Sequence, residues 1–292
     1  MRIGFMMRFD KERIEFAKKV GFGSCELQVS PDCDFFPGKD GWETKAKEVA
    51  DYYKANDIRI SCLAGFYVNH MDPAREEEYK KLVRNVIILA EKMGVPVVAG
   101  FSGRIVGKKL EESIPKFVEI WGEHAKFAED HGVKIAFEHC PMGDFHLPVN
   151  TGINFISTPK MWEIAFSEVK SEAIGLEWDP SHLICMFIDP VITIREFGKR
   201  IYHIHAKDAH VNWDIVKKYG IWHYGAVEHC FPGLGDTDWR LCIKELNRVG
   251  YKNDLNIEGW HDAVYNDRVA KGKEDEGLII AFRYLSQFVV QD

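Results

Sequence analysis

Lys134-Ile135-Ala136-Phe137-Glu138 is a short apolar run that stops on a carboxylate. Three later runs stop in the same manner: Ile174-Gly175-Leu176-Glu177-Trp178-Asp179, Ile201-Tyr202-His203-Ile204-His205 and Leu255-Asn256-Ile257-Glu258. Runs this short, set between longer helical patterns, read as buried strands. Three carboxylates at the ends of buried strands repel one another, and each is costly to desolvate. A divalent cation at their meeting point removes both penalties. The set Glu138, Asp179, His205 and Glu258 suits a hard or borderline ion such as Mn²⁺, Mg²⁺ or Co²⁺.

Outward from these runs, the chain alternates β-type stretches with amphipathic ones. Strands are expected near 2–7, 23–29, 57–64, 95–101, 133–139, 173–179, 200–206 and 254–260, and helices near 10–20, 41–56, 73–93, 110–131, 157–170, 188–198, 237–249 and 274–290. In the third helix Leu82, Val86, Leu89, Ala90 and Met93 share one face, opposite Arg75, Glu76, Lys80 and Lys81. Gly94, Gly132 and Gly250 follow helices, where a left-handed cap belongs. Thr158 or Ser157 before Pro159, and Asp72 before Pro73, read as N-caps with proline at the first helical position.

Eight strands alternating with eight helices over 292 residues is the count of a single-domain (β/α)₈ barrel spanning 1–292. A doubly wound sheet would carry a Gly-rich turn after its first strand, and Met6-Met7-Arg8-Phe9-Asp10 has none. In such a barrel the ends of strands five to eight are neighbours on the active-site face, so the four ligands can meet. Residues 209–232 form a long loop on that face, rich in Trp213, Tyr219, Trp222, His223, Tyr224, His229 and Phe231. It reads as a lid or pocket wall, with Trp222 stacking on a ring, or as a subunit contact or small core. Asn69-His70, after strand three, is expected to face the same cavity.

The formal net charge of −7 disfavours a chain built to grip nucleic acid, which needs a Lys/Arg surplus. No apolar stretch is long enough to span a bilayer, and the N-terminal apolar run is too short for a signal-peptide core. Seven cysteines, an odd number without C-x-x-C spacing, fit free thiols in a reducing cytoplasm.

The pieces Phe137-Glu138-His139-Cys140-Pro141-Met142, Glu177-Trp178-Asp179-Pro180-Ser181-His182-Leu183, His203-Ile204-His205-Ala206-Lys207-Asp208, Pro232-Gly233-Leu234-Gly235-Asp236-Thr237-Asp238-Trp239 and Ile257-Glu258 occur in that order. Together they resemble the xylose isomerase-like TIM-barrel superfamily, within it the sugar phosphate isomerases/epimerases. The resemblance implies one divalent ion, most often Mn²⁺ (with Mg²⁺, Co²⁺ and Zn²⁺ as alternatives), held by Glu138, Asp179, His205 and Glu258. It also implies a small carbohydrate substrate and allows a homo-oligomer. In ketose 3-epimerases of this group the two glutamates double as acid and base, and His182 matches a histidine that touches substrate oxygens. Asp144 stands where those epimerases have a substrate-binding Glu, and Val211 where they have an arginine. Lys207 or His210 is the expected replacement cation.

The implied activity is isomerisation or epimerisation of a sugar or cyclitol, begun by removal of the proton next to a carbonyl. Metal-dependent lyases on the same scaffold, dehydratases and C-glycoside deglycosidase subunits, also resemble this chain, and there His139 is a candidate base. An apurinic endonuclease would need further metal histidines, and the Gly100-Phe101-Ser102-Gly103-Arg104 stretch supplies none.

Overall fold

The computed structural model describes residues 1–142, 152–259 and 261–291. Eight parallel strands close into a barrel: β1 Ile3–Met7, β2 Ser24–Gln28, β3 Arg59–Phe66, β4 Val97–Gly100, β5 Lys134–Glu138, β6 Ile174–Trp178, β7 Ile201–Ala206 and β10 Leu255–Ile257. They lie in chain order around the ring, with β10 between β7 and β1. Helices α1 Lys11–Val20, α2 Trp42–Ala55, α3 Glu76–Met93, α4 Ile114–Asp130, α5 Pro159–Glu168, α6 Pro180–Cys185, α7 Pro190–Phe197, α9 Trp239–Val249 and α10 Lys273–Leu285 accompany them. All seven cysteines are free thiols. Among the described residues no helix is long and apolar enough to cross a membrane.

Strand alternation assigns the two faces. Ile174, Leu176 and Trp178 of β6, and Ile204 of β7, belong to the apolar core, and Trp178 donates its indole N–H to Thr193 of α7 at 3.0 Å. Gly175 lies between them. A Cβ there would fall 2.3 Å from the Arg200 carbonyl oxygen and 2.5 Å from the Tyr202 ring, so only glycine fits. The barrel interior holds a polar layer, with Glu26, Ser61, Glu177, His203, His205 and Asn256 all fully buried, and a small apolar cluster of Cys62, Val97, Ala99 and Ala136. At its foot Asp254 accepts from the Arg2 backbone N–H at 2.7 Å and from Arg59 Nε at 2.7 Å, tying the starts of β1, β3 and β10 together.

The capping readings divide. Gly94 and Gly250 adopt left-handed φ of 70° and 82° after α3 and α9, and Thr158 precedes Pro159 at the start of α5. Asp72 caps no helix: its carboxylate accepts from Ala74 N at 3.0 Å in a turn, and α3 begins at Glu76. The buried stripe of α3 also includes Tyr79, Val83 and Ile87, with Leu82 and Met93 at its margin.

The 209–232 segment is more ordered than a loop. It holds β8 Asp208–Val211 and β9 Val227–Cys230, paired antiparallel, joined through α8 Trp213–Tyr219. Asp208 anchors this hairpin from below: its Oδ1 accepts from Ala209 N and Thr237 N at 2.9 and 3.0 Å, and its Oδ2 from Gly233 N at 3.2 Å. Asp236 returns the tie, accepting from Val211 N at 2.7 Å. The Pro232–Trp239 motif is thus a clasp that joins hairpin to barrel and ends by capping α9 with Asp238.

Gly175→Ala should destabilise the protein by about 1–3 kcal/mol or more, the usual range for overpacking. Thermal unfolding followed by circular dichroism should show a midpoint several degrees lower.

Candidate metal centre

Glu138 closes β5, Asp179 follows β6, His205 lies near the end of β7 and Glu258 follows β10. The ring places these four strand ends side by side. One ligand atom from each lies within 4.8 Å of the others. All four residues are buried, Asp179 and His205 completely.

Each side chain is aimed by local structure. Asn154 donates to the Glu138 and Cys140 carbonyls at 2.7 and 2.8 Å, and its own oxygen accepts from Ser102 Oγ at 2.7 Å, so the exit of β5 is strapped to that of β4. Asp179 is extended (φ −127°, ψ 106°) ahead of Pro180 and caps α6, its Oδ1 accepting from Ser181 N at 2.8 Å. Its Oδ2 is left for the centre. The alternatives of cap and ligand are therefore two oxygens of one group. His205 Nε2 faces Glu26 Oε2 at 2.7 Å, which turns Nδ1 toward Glu138 and Glu258 at 3.7 and 3.8 Å.

Two cations flank the carboxylates. His182 Nε2 lies 3.1 Å from Glu138 Oε1 and 3.2 Å from Asp179 Oδ2. Lys207 Nζ lies 2.7 Å from Glu258 Oε2 and 3.9 Å from Asp179 Oδ2. Burial opposes charge on His182, but Cys140 and Asp179 outweigh it and hold the imidazole well above its ordinary value. Burial likewise opposes charge on Lys207, and Glu258 and Asp179 overcome it. Burial would raise Glu138 and Asp179. His182 reverses this for both, helped by His205 at Glu138 and Lys207 at Asp179, so both carboxyls sit below their usual range.

The residues fit a divalent cation. Asp179 Oδ2 and His205 Nδ1 are buried with no hydrogen-bond partner, and both point into the same cluster. Unsatisfied buried polar atoms are rare and call for a missing partner. Three carboxylate oxygens and one imidazole nitrogen form a donor set for a hard or borderline ion.

The other expected site residues divide between site and scaffold. His139 is fully buried against Trp162, and its Nε2 accepts the Asp179 backbone N–H at 3.0 Å. Burial pushes it down to about 3, so it serves as a neutral strut for the Asp179 backbone. His70 does not reach the cavity: its Nε2 donates to the Phe66 carbonyl at 3.1 Å and its ring packs on Trp121 and Tyr79, between barrel and helices. Trp222 is 60% exposed, and Trp213, Tyr219 and Tyr224 are at least half exposed. Of the aromatic and histidine side chains expected there, His229 and Phe231 are the ones turned inward. His229 lies 5.2 Å from the His182 ring and 5.9 Å from that of His261. His210 pairs with Asp236 on the hairpin. Asp144 lies outside the described residues.

Glu26, Glu177, His203 and Tyr67 were not anticipated, yet they underlie the centre. Period-two alternation could have found two of them: Glu177 and His203 precede Asp179 and His205 by two residues and so share their face.

A (β/α)₈ barrel with a carboxylate–histidine cluster at the carboxyl ends of its strands is the architecture of a metal-dependent enzyme. The chain belongs to the xylose isomerase-like TIM barrel family, whose family model matches residues 14–285. The uncharacterized protein YfiH of Bacillus subtilis (strain 168) is 30% identical over 283 residues, covering 85% of this chain and 87% of its own. The inosose dehydratase of Clostridium tetani (strain Massachusetts / E88) is 26% identical over 196 residues, 64% of each chain. A crystal structure of the IolI protein with a zinc atom superposes with a TM-score of 0.72 over 100% of both chains at 19% identity, a likeness of fold.

Burial opposes charge on His205, but Glu177 and Glu26 hold the imidazole well above its ordinary value. Nδ1 must lose a proton to bind a cation, so the raised value makes protons competitors of the ion. Mn²⁺ affinity should therefore rise as pH climbs above about 6.5, with up to about one proton released per ion. Calorimetry in buffers of different ionisation enthalpy checks both slope and proton count.

Proposed function

We propose that the chain is a divalent-cation-dependent enzyme, with Mn²⁺ as its native ion, that isomerises or epimerises a small keto-sugar or keto-cyclitol by removing the proton next to the carbonyl. The observation that carries this reading is the arrangement of Glu138 and Glu258. They sit on the outermost of four consecutive strands and so flank the cluster from either side, each beside its own proton donor, His182 and Lys207.

Glu138, Asp179, His205 and Glu258 are the ligands in this reading. A cation held there supplies Lewis-acid polarisation of the carbonyl and stabilises the charge that develops as the α-carbon is deprotonated. Glu138 or Glu258 takes the α-proton, and the opposite glutamate or His182 returns one to the enediolate. Glu138 lies below the usual carboxylate range, so it is a weak base for a carbon acid on its own. His182 contacts substrate hydroxyls. Lys207, 2.7 Å from Glu258 Oε2, holds that carboxylate in its orientation. His229 and His261, both pushed below the ordinary histidine value chiefly by burial, remain neutral and offer hydrogen bonds from the hairpin side.

A second reading is dehydration, and Lys207 is what favours it. Its ammonium, 2% exposed and 2.7 Å from Glu258, is a placed donor that could protonate a departing hydroxyl after the same α-proton abstraction. The relative named inosose dehydratase agrees with it.

The test is proton exchange. Mn²⁺-loaded protein incubated in D₂O with ketohexoses and keto-inositols should put deuterium on the carbon beside the carbonyl. Glu138→Gln and Glu258→Gln should each lower that rate by about 10²–10⁴-fold, the usual contribution of an acid–base group. Near-normal exchange in both variants would sink the assignment. Recovery of an isomer supports the first reading, and loss of water the second.

A further inference from the structure

Directly beneath the four ligands lies a second cluster, Glu26, Glu177, His203 and His205, whose donor atoms also fall within 4.8 Å of one another. All four residues are fully buried. By residue type alone it is as good a cation site as the one above it. Hydrogen bonding separates the two.

In the lower cluster every donor atom is engaged. Tyr67 Oη bridges Glu26 Oε1 at 3.1 Å and Glu177 Oε2 at 2.7 Å. Asn256 Nδ2 donates to His203 Nε2 at 2.9 Å, which leaves the proton on His203 Nδ1 for Glu177 Oε1 at 2.8 Å. His205 Nε2 donates to Glu26 Oε2 at 2.7 Å. Of the ligand atoms of the two clusters, the ones without a hydrogen bond, His205 Nδ1 and Asp179 Oδ2, both belong to the upper one. The two nitrogens of His205 therefore face different layers. One is spoken for and the other is open.

We propose that Glu26, steadied by Tyr67, is the positioning residue of the metal centre, and that the lower cluster holds no ion. By accepting the Nε2 proton it fixes His205 in the tautomer whose Nδ1 lone pair faces Glu138, Asp179 and Glu258. Its negative charge also makes that lone pair a better donor. Glu26 comes from β2, on the far side of the barrel from β7, so the imidazole is braced across the lumen rather than by its own strand. A carboxylate is the acceptor this task needs: it has no proton of its own to offer Nε2, so the opposite tautomer goes unsupported. The proposal rests on the cation site described above but not on the reaction assigned to it.

The experiment is Mn²⁺ titration of the full chain, followed by the electron paramagnetic resonance signal of the free ion, with Glu26→Gln and Tyr67→Phe beside the unsubstituted protein. We expect one ion per chain throughout. Glu26→Gln should bind roughly 10–100-fold more weakly, the usual loss for a residue behind a metal histidine, with a smaller loss for Tyr67→Phe. Nitrogen-15 NMR of the Zn²⁺-loaded protein should show the His205 proton on Nε2, and a changed Nε2–H signal in Glu26→Gln. A Glu26→Gln protein that melts lower yet binds Mn²⁺ unchanged while folded would overturn the proposal, reducing Glu26 to a packing role. A second ion that vanishes with Glu26→Gln would overturn it too. Failure of the unsubstituted protein to bind any ion would remove this proposal and the metal centre together, whereas tight binding without turnover would count only against the proposed reaction.

Discussion

Like charge held in a dry place is the constraint on which this structure turns. Glu138, Asp179 and Glu258 bring three carboxylates within 4.8 Å of one another, all buried. At that spacing and an effective dielectric near 20, each pair costs about 3–4 kcal/mol. Three such pairs approach about 10 kcal/mol, the whole net stability of an ordinary domain. The fold answers with Lys207 and His182, each within 3.2 Å of a carboxylate oxygen, and with His205 from below. It still leaves two atoms of the four ligand side chains, Asp179 Oδ2 and His205 Nδ1, without a hydrogen bond. What the local charges do not finish, a divalent cation would.

The same constraint accounts for the lumen. Barrels of this class usually fill their interiors with branched apolar side chains. Here the layer under the ligands is a hydrogen-bonded set of carboxylates, imidazoles, a tyrosine hydroxyl and an amide N–H. Burial and the neighbouring Glu26 push Glu177 well above the carboxylate range, and burial pushes His203 down to about 4. Both shifts disfavour charge on these groups, while burial on Glu26 is overridden by His205 and His203. The layer supports the metal histidine from below with every oxygen of Glu26 and Glu177 hydrogen-bonded.

Much of this is legible in the sequence, for identifiable reasons. Parallel strands buried on both faces make short apolar runs, so a polar residue at the end of such a run stands out, and Glu138, Asp179, His205 and Glu258 do. Topology then brings them together. Glu26 is hidden because its partner lies 179 residues away and no local spacing links them. The hairpin of β8 and β9 escapes because its four-residue strands are joined through a helix instead of a tight turn. His70 misleads because a histidine after a strand could face either the cavity or the helix layer, and aromatic packing on Trp121 and Tyr79 decides for the latter. Asp72-Pro73 has the pattern of a helix start, but Asp72 spends its oxygen on a turn instead.

Asp179 carries two duties on one carboxylate: Oδ1 holds the first turn of α6 and Oδ2 faces the cluster. His182 rides on that same short helix, three residues on. The grip of an ion on one oxygen and the winding of α6 on the other are therefore linked free energies, and such linkage is reciprocal. Whatever loosens α6 weakens the hold on the ion, and whatever secures the ion stiffens the turn that presents His182. A helix of six residues, too short to stand alone, so becomes the element through which occupancy of the centre is felt by the imidazole beside it.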